Sequence, residues 1–262
     1  MIAKNPYNVI PLHESKDEWY SEKKTFHGVC RHPIMPLGHI PPMSVTPNVG
    51  DPNIYEAVVT LFNLDGEKVD RFTTGVTPIL YARDVKAYFI KQFDFGNEHD
   101  EGVYYVETNI GEDTLYSEPF MWIKDTSRLI RIEYMRNSPI VTTDNYIHFE
   151  DFFEMYIDSE IMMPEYRYDT EVEEIDGVKF VRKKVSYKEH KFSFLCTDYF
   201  AEAVRLMWHC NIIKITQHGN EYNVDYMEAP QPSWNADNHL MQMDIVFQTD
   251  TIMQTNGESK AW

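Results

Sequence analysis

Residues 197–211 (Thr-Asp-Tyr-Phe-Ala-Glu-Ala-Val-Arg-Leu-Met-Trp-His-Cys-Asn) place the strongest constraint on what this chain can fold into. They form the one stretch with a clear 3.6-residue period: Phe200, Ala203, Val204, Met207 and Asn211 recur on one face. Thr197 and Asp198 are each suited to cap the start by accepting a bond from an orphan N–H. Glu202 falls early in the helix, and Arg205 and His209 fall late, as the helix dipole favours. A helix with one apolar face needs a surface to cover, and the segments on either side read as strands. The expectation is a β-sheet packed on this helix, with Phe200, Ala203, Val204 and Met207 as the core contacts.

The rest of the chain reads as strand and turn. Residues 1–50 carry Pro6, Pro11, Pro33, Pro36, Pro41, Pro42 and Pro47, too many for a long helix or a central strand. Apolar islands at Val9-Ile10, Phe26, Val29, Ile34-Met35-Pro36-Leu37 and Ile40 are not what a solvated linker keeps. An extended arm is expected, laid over its own domain or a neighbour, with Ile34, Met35, Leu37 and Ile40 as assembly anchors. A turn cluster at 48–52 ends it. Strands are expected at 57–62, within 79–90, at 102–107 and at 116–123, the last near an edge because of Pro119. Strands at this spacing suggest a small antiparallel sandwich over 51–125. Residues 124–127 read as a hinge to a second β-rich domain, 126–262. Its strands are expected at 129–134, 146–150, 165–173, 181–187, 191–195, 212–216 and 240–247. Residues 151–157 read as a continued strand or a helical turn. Asp176-Gly177 is a hairpin turn of the Asp-Gly type, and 256–259 is a polar tail. The fold class is therefore mainly β: two antiparallel sandwich-like domains, the second with one packed helix, preceded by an extended Pro-rich arm.

Charge and cysteine usage narrow the function. The 262 residues carry a net charge of −18, the opposite of the basic excess that tracks nucleic-acid phosphates, so DNA and RNA binding are not expected. Three cysteines, Cys30, Cys196 and Cys210, do not make a disulfide framework, and reduced thiols in a cytoplasmic setting fit best. No apolar run approaches the ~20 residues needed to span a bilayer, and the N-terminus lacks the apolar stretch of a signal peptide. Neither membrane association nor export by a cleaved signal is expected.

Several clusters have the residue types of chemistry without its spacing. His27, Cys30, His32 and His39 match zinc in number, but not in the paired short spacing of structural sites. They read as loop histidines and one buried thiol. Glu98-His99-Asp100-Glu101 meets only part of a calcium-loop pattern and reads as a solvated hairpin tip, as do Glu171, Glu173 and Glu174. Cys196 and Cys210 bracket the helix. His209 points roughly 100° away from Cys210, so it does not serve as its base, and both thiols read as core filler. Nucleotide-binding, serine-hydrolase and zincin motifs are absent. With 42 Asp and Glu, no single acid pair is informative for glycoside hydrolysis. No catalytic residue, cofactor or metal is expected.

One resemblance runs through much of the chain. It is carried by Tyr146-Ile147-His148-Phe149, Pro164-Glu165-Tyr166, Asp176-Gly177, Tyr199 through Leu206, Ile213 through Thr216, Tyr222-Asn223-Val224, Ser233-Trp234 and Met243 through Phe247. Phe26 through Pro36 and Ile40-Pro41-Pro42-Met43 fit the same pattern. Together these resemble virion proteins of tailed phages and prophages of gut Bacteroidetes, the crAss-like group included. The resemblance implies a tail, baseplate or neck component. It would be made in the host cytoplasm and assembled as a ring with copies of itself and with other virion proteins. It implies no active site. The competing reading is a carbohydrate-binding module or glycan-active enzyme, with Trp122, Trp234 or Trp262 stacking on sugar rings. Against it, Trp122 and Trp234 are expected in the core, as large aromatics usually are.

Overall fold

The computed structural model describes residues 8–18, 32–45, 56–80, 86–90, 93–96, 98–136, 140–141, 146–147, 152–235 and 240–255. Phe26, His27, Val29, Cys30, His148 through Glu150, Trp262, the turn at 48–52 and the tail at 256–259 lie outside them. The fold is mostly antiparallel β with a single α-helix among the described residues; two sheets face each other across a core, sandwich-like, in the second half.

The strands of the first half are β1 (Leu12–His13), β2 (Ile34–Pro36), β3 (His39–Ile40), β4 (Met43–Val45), β5 (Glu56–Asn63), β6 (Lys68–Leu80), β7 (Lys86–Ile90), β8 (Phe93–Asp94), β9 (Gly102–Ile110), β10 (Asp113–Ser117) and β11 (Phe120–Ile123). Nine of them form one sheet in the order β1-β10-β9-β5-β6-β7-β4, with β11 beside β9 and β2 beside β11. Alternation puts Ala57, Val59 and Leu61 of β5 in the core opposite Ile110, Thr108 and Val106 of β9, with Thr60 buried on the other face as well. Trp122, Phe120 and Leu115 fill the same core.

The strands of the second half are β12 (Leu129–Met135), β13 (Ile140–Val141), β14 (Tyr146–Ile147), β15 (Phe153–Asp158), β16 (Glu165–Ile175), β17 (Val178–Cys196), β18 (Ile212–Gln217), β19 (Asn220–Asn223), β20 (Tyr226–Met227), β21 (Gln231–Asn235) and β22 (Leu240–Thr255). The helix α1 spans Asp198–Trp208. A four-stranded sheet, β15-β12-β18-β19, and a five-stranded one, β16-β17-β22-β20 with β21 also on β22, enclose a second core. Ile130, Ile132, Met155 and Ile215 come from the four-stranded sheet, and Phe192, Ile245 and Phe247 from the five-stranded one. The helix packs into this core as its period predicts. Phe200, Ala203, Val204 and Met207 are buried, and Ala201 and Leu206 widen the face. The Thr197 hydroxyl accepts the Phe200 N–H at 3.3 Å, whereas Asn211 is exposed beyond the helix end.

Several local expectations are corrected. The stretch 116–123 is two strands, because Glu118-Pro119 breaks the ladder; β10 and β11 both still pair β9. The pieces 181–187 and 191–195 are one strand, β17, 19 residues long. Residues 153–158 are strand, not a helical turn. The polar strand β6 was not expected at 68–76, since only alternate Phe72 and Val76 pack on the core.

The largest correction concerns the arm. Its described strands pair within the chain. β1 and β4 form the two margins of the first sheet, and β2 runs parallel to β11. Met35 and Ile40 are 1% and 0% exposed in the first core, with Ile10, Leu12, Met43 and Val45. Leu37 packs against that core, and Ile34 is half-buried. Val9 belongs to the second core. The prolines are tolerated because the pairing bonds avoid their missing N–H groups. Met121 N–H donates to the Pro33 carbonyl at 2.8 Å, Leu37 N–H to Ile123 at 2.9 Å, and Glu118 N–H to the Pro11 carbonyl at 2.9 Å. Of the four expected anchors, Met35 and Ile40 are thus taken up by the chain's own core, while Ile34 and Leu37 are partly exposed.

Candidate functional site

Two places stand out: a buried polar cluster where the arm meets strands β12 and β15, and a ribbon of strand that leaves the second core altogether.

The cluster centres on Glu154. Strand β15 alternates, so Phe153, Met155 and Ile157 enter the core while Glu154 and Tyr156 face the arm. His39 of β3 donates its Nε2–H to Glu154 Oε1. Arg131, on the neighbouring strand, donates Nε–H to Glu154 Oε2 at 2.9 Å, and the Tyr156 hydroxyl lies 3.4 Å from the same oxygen. Burial alone would raise the Glu154 pKa. The His39 hydrogen bond and charge, with Arg131, more than offset it and hold the carboxyl below its ordinary value. Burial and the Glu154 charge push the Tyr156 phenol up. Three donors converge on the two carboxylate oxygens, so the group ties the arm to β12 and β15. Trp122 N–H fixes the His39 backbone from the other side, donating to its carbonyl at 2.8 Å.

The ribbon is built from β16, the first half of β17 and the end of β22. The sequence folds it through Asp176-Gly177, whose φ angles of 51° and 80° make the tight hairpin turn that the Asp-Gly pair favours. Past the core, the side chains of this sheet are largely exposed on both faces. The register sorts them. One face continues that of Phe192 and Phe247 and carries Tyr166, Tyr168, Val172 and Ile252. Tyr168 is 77% and Ile252 70% exposed. The other face carries Val178 and Phe180, both exposed. The outer edge of β16 has no partner strand among the described residues. Two bulges adjust the ladder: Arg182 is the extra residue on β17, and residues 250–251 oppose Tyr187 alone, with Asp250 at φ 54°.

At the ribbon's root lies a groove of about 730 Å³ lined by Tyr166, Lys188, Tyr222 and Asp225 among others, with His190 among its walls. His190 is buried, stacked on Phe247, and its Nε2 is 3.1 Å from the Thr249 hydroxyl. Burial first, then the Lys188 charge, lowers its pKa, against a smaller opposing effect of Asp250.

No family model and no curated protein matches the chain. Among solved structures, one similar chain comes from the crystal structure of Dpr2 Ig1-Ig2 in complex with DIP-Theta Ig1-Ig3. It is 7% identical over 86% of this chain and 89% of that one, with a TM-score of 0.17. Superposition that poor supports no conclusion about fold or function.

The remaining sequence candidates are scattered. Of the histidine-cysteine group, His27 and Cys30 lie outside the described residues, and His39 is taken by Glu154. Cys196 and Cys210 are buried, and burial pushes each thiol up to about 12. His99 is not the solvated tip residue expected: it stacks on Trp122 at 5.7 Å and lies 3.2 Å from an Asp70 carboxylate oxygen. Trp122 is fully buried, as expected, whereas Trp234 is exposed on β21 rather than in the core. Sequence reasoning missed the Glu154 cluster because His39, Arg131 and Glu154 are far apart in the chain. It missed the ribbon's apolar rows because they alternate with charges, as a half-buried strand also does.

Proposed function

We propose that this chain is a non-enzymatic structural protein of a tailed-phage virion, a tail, baseplate or neck component that assembles in a ring with copies of itself and other virion proteins. The sequence resemblance motivates the class. The observation that carries the assembly reading is the ribbon, which holds Tyr168, Ile252, Val178 and Phe180 in solvent on a sheet with an open edge. Such exposed apolar rows and unpaired edges are what protein–protein contacts cover. Identical subunits joined head-to-tail close into rings when the rotation permits. Mass spectrometry of density-purified particles, with immunogold labelling against this chain, tests the reading. Stoichiometric presence at the tail or neck is expected, and absence from clean particles would overturn it.

Exposed Trp234 favours a second reading, glycan binding by ring stacking. A glycan array probed with the wild-type chain and Trp234→Ala separates the two: specific binding lost in the variant would favour the glycan reading.

A further inference from the structure

The register gives the two ribbon faces different charges. Lys179, Lys184 and Lys188 share the face of Tyr166 and Tyr168 with Glu174 as the one carboxylate of β16 and β17 there. The other face carries Asp169, Glu171 and Glu173 in a row along β16, with Arg182 and Lys183 of β17 beside them, and so is acidic along β16 only. The side-chain contacts agree with this sorting. Arg167 meets Glu165 and Glu189 on the acidic face, Arg182 meets Glu173 there, and Lys188 meets Asp250 at 2.7 Å.

Six ribbon charges make no ion pair among the described residues: Lys179, Lys184 and Glu174 on one face, Asp169, Glu171 and Lys183 on the other, so the unpaired charge is net positive on the first and net negative on the second. Glu174 stands directly opposite Lys179, and Glu171 opposite Lys183, yet neither pair closes. The rest of the chain is strongly acidic, so a face bearing lysines and tyrosines is the minority surface of a molecule with net charge −18. Residues 165–189 are nearly balanced, with six Lys and Arg against seven Asp and Glu.

We propose that the ribbon is a self-association element: the lysine–tyrosine face of one copy stacks on the acidic face of the ribbon of the next. The occupant is a second copy of this chain, because each ribbon supplies both complementary faces. The two surfaces differ, so the contact is heterologous and repeats. Side chains of stacked sheets meet across about 10 Å, a gap that Lys and Tyr on one side and Asp and Glu on the other fill. Tyr168, Val172 and Ile252 lose their solvent exposure in that contact, and the lysines gain the carboxylates they lack within one chain. This deepens the structural-protein reading and rests on it for its biological setting.

Sedimentation velocity of the full chain at about 0.15 M salt tests it, since net repulsion is then screened beyond about 8 Å while direct contacts persist. Wild type is expected to form concentration-dependent oligomers. The double reversals Lys179→Glu with Lys184→Glu, and Asp169→Lys with Glu171→Lys, should each weaken association at least about tenfold, roughly 1.4 kcal/mol. Mixing the two variants should restore it, because each now complements the other. Circular dichroism melts close to wild type establish that both variants fold. A wild-type chain that stays monomeric overturns the proposal, as does association unchanged by both reversals or a mixture that fails to recover. A monomeric chain nevertheless found in purified particles overturns this inference alone. Ribbon-mediated association of a chain absent from particles overturns the virion reading alone.

Discussion

The N-terminal arm and the β16–β17 ribbon are both extended, both interrupt their apolar residues, and they have opposite fates. The arm is broken by prolines and looks like a segment with no home. It supplies both margins of the first sheet and part of its core. The ribbon alternates charges with Tyr, Val and Phe and looks like an ordinary half-buried hairpin. It stands outside its core with both faces wet. The difference shows that proline limits which N–H groups a strand can offer without deciding whether it is buried. Alternation shows that a strand has two distinct faces without showing that either is covered.

Truncation tests the contrast most severely. Removing residues 1–45 strips β1, β2, β3 and β4 and should lower the melting temperature by about 10 °C or more, read by circular dichroism. Replacing 170–184 with Asn-Gly keeps the hairpin register and should shift it by about 4 °C or less. Comparable losses would erase the distinction. Point substitutions sharpen it. Met35→Ala, Ile40→Ala, Phe200→Ala and Met207→Ala should each cost about 2–5 kcal/mol in urea titrations by the cavity rule. Arg205 is exposed and, among the described residues, pairs only with its helix neighbour Glu202, so Arg205→Ala should cost less than about 1 kcal/mol.

The seam between the halves gives a pH-dependent effect of intermediate size. Glu154 has a lowered pKa in the folded chain, so its contribution is fully present above its ordinary value near 4.5 and is lost as pH falls below that. His190, held below its ordinary 6.5, adds loss in the same acid direction. Glu154→Gln should destabilise the chain at about pH 7 by up to roughly 3 kcal/mol, the order seen on breaking a buried pair. The gap from wild type should narrow towards about pH 3.5. A gap that is constant across that range would show that the charge of Glu154 is not what holds the seam. The smallest effects belong to the ribbon: Tyr168→Ala and Ile252→Ala should change stability by about 0.5 kcal/mol or less. Losses near those of Met35→Ala would mean that the ribbon is covered within the single chain.

How much of this was legible depended on whether neighbours in sequence carried the signal. The helix, the Asp176-Gly177 turn and the alternating strands 57–62 and 129–134 were readable, because their period or turn chemistry is local. Strand β17 looks like two pieces in the sequence because Lys188-Glu189-His190 interrupts its apolar run, although His190 is in fact buried against Phe247. Strand β6 was invisible because its outward residues are polar and its inward ones few. Short β20 and β21 carry no pattern at all. The fate of the arm could not be read locally: Met35 is buried by Trp122, and His39 is held by Glu154, 115 positions away.

Strand β17 passes from the second core into the ribbon without a break, and this bears on how the chain folds. The ribbon can begin zipping at its own Asp176-Gly177 turn, but the tip has no means of knowing which face the core requires. A one-residue slip there would put Tyr166 out of phase with Phe192 and present the wrong side chains to the core. The core-end half of β17, seated against Phe247 and Ile245, fixes that choice. A zipper started at the tip and a template set at the core must meet in one strand, and Arg182 and Asp250 are where a spare residue is absorbed when they do.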